Sequence, residues 1–249
     1  MKYDVISTGS SGNAVVLNNE ILIDCGVSFK AVKDIVCNLK AVLLTHCHVD
    51  HLRPSTVRKL ASLRTDLIFI CCDWLVFDLI DCGVPAANIH VVEFGKKNRF
   101  DGFSVCPVLL YHNVPQCGYR VYIDGERAFY ATDTAHLEGI TAKDYDLYLI
   151  ESNYGEEEIQ ERIRAKMENG EYCYELGVPD RHLSREQADA FLLRSMGAGS
   201  VCVYLHEHID KEAKCKNDRE NAGLQFRLYH GKTKRHAGAE REKRGDKGL

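Results

Sequence analysis

His46, His48, Asp50 and His51 place three imidazoles and one carboxylate within six consecutive positions. Neutral imidazole nitrogen and carboxylate oxygen are the donors that suit zinc, manganese or iron. Two residues apart, His46 and His48 can point to one side of an extended turn and clamp one ion. Asp50 and His51, displaced along the chain, are better placed to hold a second. A polar loop with surface histidines is the plain alternative. It fits poorly, because the cluster directly follows Ala41-Val42-Leu43-Leu44, a run with the length and aliphatic character of a buried strand. Cys47 lies between two of the candidate ligands and could act as a soft ligand, but in an extended segment its neighbours project away from it.

The elements that must position this cluster follow from the pattern. Tyr3 to Ser7 reads as a strand, and Gly9-Ser10-Ser11-Gly12-Asn13 as a small-residue turn with free N–H groups. Ala14 to Leu17 and Ile21 to Ile23 form a hairpin pattern around Asn18-Asn19-Glu20. A helix capped by Ser28 is predicted through Leu39, with Phe29, Val32, Ile35, Val36 and Leu39 on one face. Further helices are predicted from Ser55 to about Leu63 and from Trp74 to Cys82, with strands over 66–72 and 89–94. This strand–helix alternation indicates a layered α/β domain. From Phe100 consecutive strands follow at 103–107, 108–111, 118–123 and 128–132. Next come a buried strand over 146–150 and a charged helix over 156–167, on which Ile159 and Ile163 make only a thin apolar stripe. A segment opening at Arg181 runs as a helix to Met196, with Ser184 to Gln187 reading as a capping box. The last clear strand, 200–205, leads into His206-Glu207-His208.

His46-x-His48-x-Asp50-His51 resembles the signature of the metallo-β-lactamase superfamily, and the resemblance covers roughly residues 1–210. It implies a four-layered αββα sandwich with a metal site at one edge. It also implies a bracing role for Asp24, a third metal-binding histidine at His112 and a metal-bridging carboxylate at Asp133. His136 lies near Asp133 but matches no motif position.

Gly9 to Asn13, Thr132-Asp133-Thr134, Glu151-Ser152-Asn153 and His182-Leu183-Ser184 together look like the YycJ/WalJ branch, grouped with tRNase Z-like phosphodiesterases. Carried over by position, His46, His48 and His112 would hold one of two divalent ions, Zn²⁺ or Mn²⁺, while Asp50, His51 and His206 would hold the other. Asp133 would bridge them, Asp50 would also orient the attacking hydroxide, and His182 would act as general acid or oxyanion stabiliser. Two departures matter. The final ligand position reads His206-Glu207-His208 instead of a serine- and asparagine-containing loop, which leaves His208 as an alternative to the strand-adjacent His206. Arg181 replaces the glycine expected before the His182 motif. There is no room for a β-CASP insertion, and no long tRNA-gripping arm is apparent.

These features imply a metal-dependent phosphodiesterase or nuclease acting on nucleic acid. Alternatives on the same fold are a cyclic-nucleotide phosphodiesterase and a thioester or lactone hydrolase; a metal-binding adaptor without catalysis is disfavoured by the complete ligand set. Arg53, Arg181 and the N–H groups of the Gly9–Asn13 loop are candidate substrate contacts. The superfamily analogy also allows a homodimer.

Composition bounds the rest. The chain has 249 residues, 45% hydrophobic and 27% charged, which suits one large domain, expected over 1–230. The net charge is −4 but uneven: from Gly231 onward seven Lys/Arg stand against three acids, in a tail expected to be basic and disordered. Its alternative roles are a nucleic-acid tether and a plain solvated terminus. The eleven cysteines are scattered and contain no Cys-x-x-Cys pair, so neither a zinc ribbon nor a disulfide framework is indicated. With no signal peptide and no membrane span, the expectation is a reducing cytoplasm.

Overall fold

The computed structural model describes residues 1–206. The expected tail from Gly231, the end of the expected domain at 230 and the alternative ligand His208 lie outside the described residues.

Strands β1 (Tyr3–Ser7), β2 (Ala14–Leu17), β3 (Ile21–Ile23), β4 (Ala41–Leu43), β5 (Ile68–Cys71) and β6 (Ile89–Val91) form one six-stranded sheet in chain order. The second sheet holds β7 (Asn98–Phe100), β8 (Phe103–Leu110), β9 (Gln116–Ile123), β10 (Glu126–Ala131), β11 (Leu147–Glu151) and β12 (Val201–Leu205), again as sequence neighbours. Both sheets are mixed. The first is antiparallel through β3 and parallel beyond it, and the second is antiparallel up to β10 and parallel from β10 to β12.

Alternation along the strands builds the layers. Val15, Leu17, Ile21, Ile23 and Leu43 face Val105, Tyr119, Val121, Tyr130, Leu149 and Val203 of the other sheet in one shared core. Val16, Leu22, Val42 and Phe69 point the other way. They pack under helices α1 (Phe29–Val32), α2 (Pro54–Leu63) and α3 (Val76–Asp81) through Val32, Val57, Leu60 and Leu79. On the opposite outer face, Phe129, Tyr148, Ile150 and Cys202 pack with Ala188, Phe191 and Leu192 of α5 (Arg185–Ser195). The expected αββα sandwich is therefore the observed fold.

Several boundaries differ from the sequence reading. The helix expected from Ser28 to Leu39 is a single α-turn followed by a 3₁₀ turn at Val36–Asn38, and Ser28 makes no capping hydrogen bond. Its β-branched Val32, Ile35 and Val36 disfavour a continued helix, yet they still cover the sheet. The segment at 103–111 is one strand rather than two. Pro107 is accommodated because β7 pairs only with residues 103–105, so β8 is an edge strand at that point. The short, polar β7 was not expected from its pattern. The helix near residue 181 starts later, where the capping box fixes it: Gln187 N donates to Ser184 Oγ (3.1 Å) and Ser184 N donates to Gln187 Oε1 (2.9 Å). The charged helix α4 (Glu156–Glu168) buries Ile159 and Ile163 alone, as its thin stripe suggested. Among the described residues, no helix is long and apolar enough to cross a membrane.

Candidate metal centre

The site lies where strands from both sheets end. β3 leads into Asp24, β4 into Thr45 to His51 and β10 into Asp133, while β11 ends at Glu151 and β12 leads into His206. Three of these residues, Asp24 (φ 58°), Asp133 (φ 50°) and His206 (φ 56°), have left-handed backbones. That conformation is uncommon outside glycine, though Asp and His adopt it more readily than most residues. Each turns the chain sharply, so the side chain is delivered beside the strand end.

Asp24 braces the motif as expected. Its fully buried carboxylate accepts from Thr45 N (3.0 Å), Thr45 Oγ1 (3.0 Å), His51 Nδ1 (2.7 Å) and Tyr130 OH (2.9 Å). The bond to His51 Nδ1 fixes that ring, and its Nε2 then faces the Asp133 carboxylate and Asn13 Nδ2 (2.8 Å). Asn13 is oriented in turn, because its Oδ1 accepts from Gly9 N (2.9 Å). This gives the small-residue loop a concrete role beneath the site. It also makes Gly26 obligatory, because a Cβ there would lie 1.7 Å from the Asp50 carbonyl oxygen.

His46, His48 and His112 come together as one group of candidate ligands. Thr45 Oγ1 donates to Asp24 and so accepts from His46 Nδ1 (3.0 Å), while His112 Nδ1 donates to the Arg181 carbonyl (2.9 Å). Both rings therefore have Nε2 left for a ligand role. His46 Nε2 lies 3.1 Å from His48 Nδ1. Burial, with His51 nearby, pushes the His46 pKa far below the ordinary histidine value, and burial lowers that of His112 as well. Neutral imidazoles with converging nitrogens and outer-shell acceptors are what a cation site requires.

Asp133 is the hub. Its Oδ2 faces His51 and lies 3.7 Å from His46 Nε2, and its Oδ1 lies 2.5 Å from His206 Nδ1 and 3.5 Å from His182 Nδ1. Burial opposes the charge on this carboxylate, but the surrounding imidazoles, His51 first, hold its pKa well below the usual range. Glu151 completes the group Asp133–Glu151–His182–His206. Its Oε1 accepts from His182 Nδ1 (2.7 Å), and its Oε2 accepts from Thr134 N (3.0 Å) and Leu183 N (3.3 Å). Burial opposes protonation of His182 and His206, but Asp133 and Glu151 override it, raising His182 to about 9 and His206 to about 10.

The expected ligands thus converge, with two adjustments. Asp50 is set back from the three close-packed groups: its Oδ2 lies 3.8 Å from His51 Nε2, and its side chain is 24% exposed on the wall of the cleft. His206 sits with Glu151 and His182 as well as Asp133, rather than directly against Asp50 and His51. Glu151 was read as part of a motif but not as a site residue. Its signal was its position, an acid ending an otherwise apolar buried strand. Cys47 is exposed and joins no ligand group, His136 stacks on Tyr111 (4.3 Å) away from the cluster, and Arg53 does not line the cleft, whereas Ser10 and Arg181 do.

The chain matches the family model described as "Beta-lactamase superfamily domain" over residues 19–206. It belongs to the metallo-β-lactamase superfamily. Solved structures of that fold superpose well at low sequence identity. The metallo-β-lactamase fold protein YhfI from Bacillus subtilis has a TM-score of 0.64 at 15% identity, covering 85% of this chain and 88% of its own. The short form of human tRNase Z has a TM-score of 0.58 at 15% identity, covering 83% and 93%. Zn²⁺-bound PqqB from Methylobacterium extorquens has a TM-score of 0.58 at 13% identity, covering 83% and 89%. No curated protein matches the chain in sequence. With its superfamily fold and buried His/Asp clusters, the chain has the makings of a metal-dependent hydrolase, and the donor set fits a dinuclear centre.

Proposed function

We propose that this protein is a two-metal phosphodiesterase acting on nucleic acid or nucleotides, of the YycJ/WalJ type. His46, His48 and His112 would hold one divalent ion, Zn²⁺ or Mn²⁺. Asp50, His51 and His206 would hold the second, with Asp133 between them. When bound, such ions supply Lewis acidity toward a phosphoryl oxygen and acidify a water molecule.

The observation that carries the reading is the pairing of His182 with Glu151 at the cleft. Glu151 accepts the Nδ1 proton of His182 at 2.7 Å, which orients the ring and leaves its other nitrogen for the cleft that His182 lines. From there His182 can deliver a proton to a leaving alkoxide, a contribution of roughly 10²–10⁴-fold. Asp50, which lines the cleft from the facing side, is placed to orient the attacking water. Arg162 and Arg181 also line the cleft, and guanidinium is the side chain best matched to phosphate oxygens. The cleft volume, about 260 Å³, favours a second reading of the same chemistry, a small cyclic nucleotide as substrate.

The test is hydrolysis of bis-p-nitrophenyl phosphate with added Zn²⁺ or Mn²⁺, by the wild type and by Asp50→Ala and His182→Asn variants. Metal-dependent turnover that falls at least 10²-fold in both variants supports the reading. A wild type that leaves this ester intact but cleaves a thioester or lactone overturns it.

A further inference from the structure

The cleft is walled on one side by α4 and by the strap that returns from it through a 3₁₀ turn at Tyr174–Gly177. This strap ends on the metal centre itself, because the Arg181 carbonyl accepts from His112 Nδ1 and the next residue is His182. Arg181 Nε donates back to the Gly177 carbonyl (2.8 Å), and His182 N donates to the Val178 carbonyl (2.9 Å). A group seated on the strap is therefore held in register with the candidate ligands.

Tyr174 occupies the key position. It lines the cleft yet is 50% exposed, and it belongs to none of the buried clusters that hold the two sheets and their helices together. One face of its ring is in contact with a cation. Lys166 Nζ lies 4.4 Å from the ring centroid and is itself held by Glu175 at 2.6 Å. A tyrosine beside a cation and open to a cleft that also presents Arg162 and Arg181 has the form of a base-stacking platform beside a phosphate site.

Deepening the phosphodiesterase reading, and resting on it, we infer that Tyr174 stacks the nucleobase attached to the reacting phosphate, so that the site accepts a single unpaired nucleotide unit. The cleft volume suits one such unit and not a duplex. The acidic first turn of α4, Glu156 to Glu158, reaches the cleft itself through Glu158, and its charge disfavours a polyanion laid across that helix.

The test compares two esters with the same leaving group, p-nitrophenyl thymidine 5′-phosphate and methyl p-nitrophenyl phosphate, in the wild type, Tyr174→Ala and Tyr174→Phe. The readout is the ratio of kcat/KM for the nucleotide ester to that for the methyl ester. Stacking of one base predicts that Tyr174→Ala lowers this ratio about 5- to 140-fold while Tyr174→Phe keeps it. A ratio unchanged in Tyr174→Ala, or lowered equally in Tyr174→Phe, overturns the inference. If the wild type cleaves neither ester, the phosphodiesterase reading fails on its own, and calorimetry decides the subsite. Thymidine 5′-monophosphate must then bind more weakly to Tyr174→Ala than to wild type relative to inorganic phosphate, and equal loss for both ligands overturns the inference. Comparing a single-stranded oligonucleotide with a cyclic nucleotide as competitors identifies the source of the unit.

Discussion

The two walls of the cleft are built in opposite ways. On one side, the loop from Thr45 to His51 sinks Thr45, His46 and His51 into the interior, while Cys47 and Val49 face solvent. Asp24, His46 and His51 have no solvent exposure, and each polar group of the brace has a named partner. On the other side, α4 and its strap are held by Ile159 and Ile163, the Lys166–Glu175 pair and hydrogen bonds such as Ser184 Oγ to Glu156 (2.9 Å) and Arg181 Nε to the Gly177 carbonyl (2.8 Å), while Met167, Tyr172 and Leu176 stay exposed. The buried residues of the first wall have little freedom to vary, because each holds another in place. The second meets the candidate metal ligands through Arg181 and His182, so the rest of its surface can change without disturbing them. On the proposed reading, metal chemistry falls to the sandwich and substrate choice to the appendage.

The comparison can be broken most forcefully at Asp24. Replacing it by alanine strands Thr45, His51 and Tyr130 in a dry interior, and removing one partner from such a buried network costs roughly 3–5 kcal/mol. Thermal unfolding of Asp24→Ala should show a fall of many degrees together with loss of bound metal; a native-like midpoint would mean that the brace is dispensable. Chelation comes next. A ligand at about 1,000 times its dissociation constant stabilises the native state by about 4 kcal/mol. Stripping metal should therefore lower the melting midpoint clearly, and re-addition should restore it. On the other wall the effects shrink. Ser184→Ala removes one half of the α5 capping box and the bond that Ser184 Oγ donates to Glu156 of α4 (2.9 Å), and should cost about 1–2 kcal/mol. Ile159→Val should cost only about 0.5–1.5 kcal/mol in denaturant titration and leave metal content intact. Loss of metal in either of these last two variants would erase the distinction between the walls.

The embedded wall was also the more legible in sequence. The aliphatic run before His46, the ligand spacing and the acid that follows β10 are local signals, and each marks a feature the fold contains. What escaped depends on distance along the chain. Glu151 meets His182 across 31 positions and Asn13 meets His51 across 38, so no neighbouring residue announces either contact. The overlong helix near Ser28 had the right apolar spacing, but its β-branched residues were content to pack from turns. The brief β7 carried no period to read. The role of Tyr174 follows from where a tether returns, which composition alone does not encode.

The most direct test of the central claim is metal content measured by mass spectrometry on wild type and Asp133→Asn, alongside hydrolysis of bis-p-nitrophenyl phosphate. A dinuclear centre bridged by Asp133 predicts about two divalent ions per wild-type chain, at most one in the variant, and turnover only in the wild type. Equal metal content in the two proteins, or turnover that survives complete removal of metal, would contradict it.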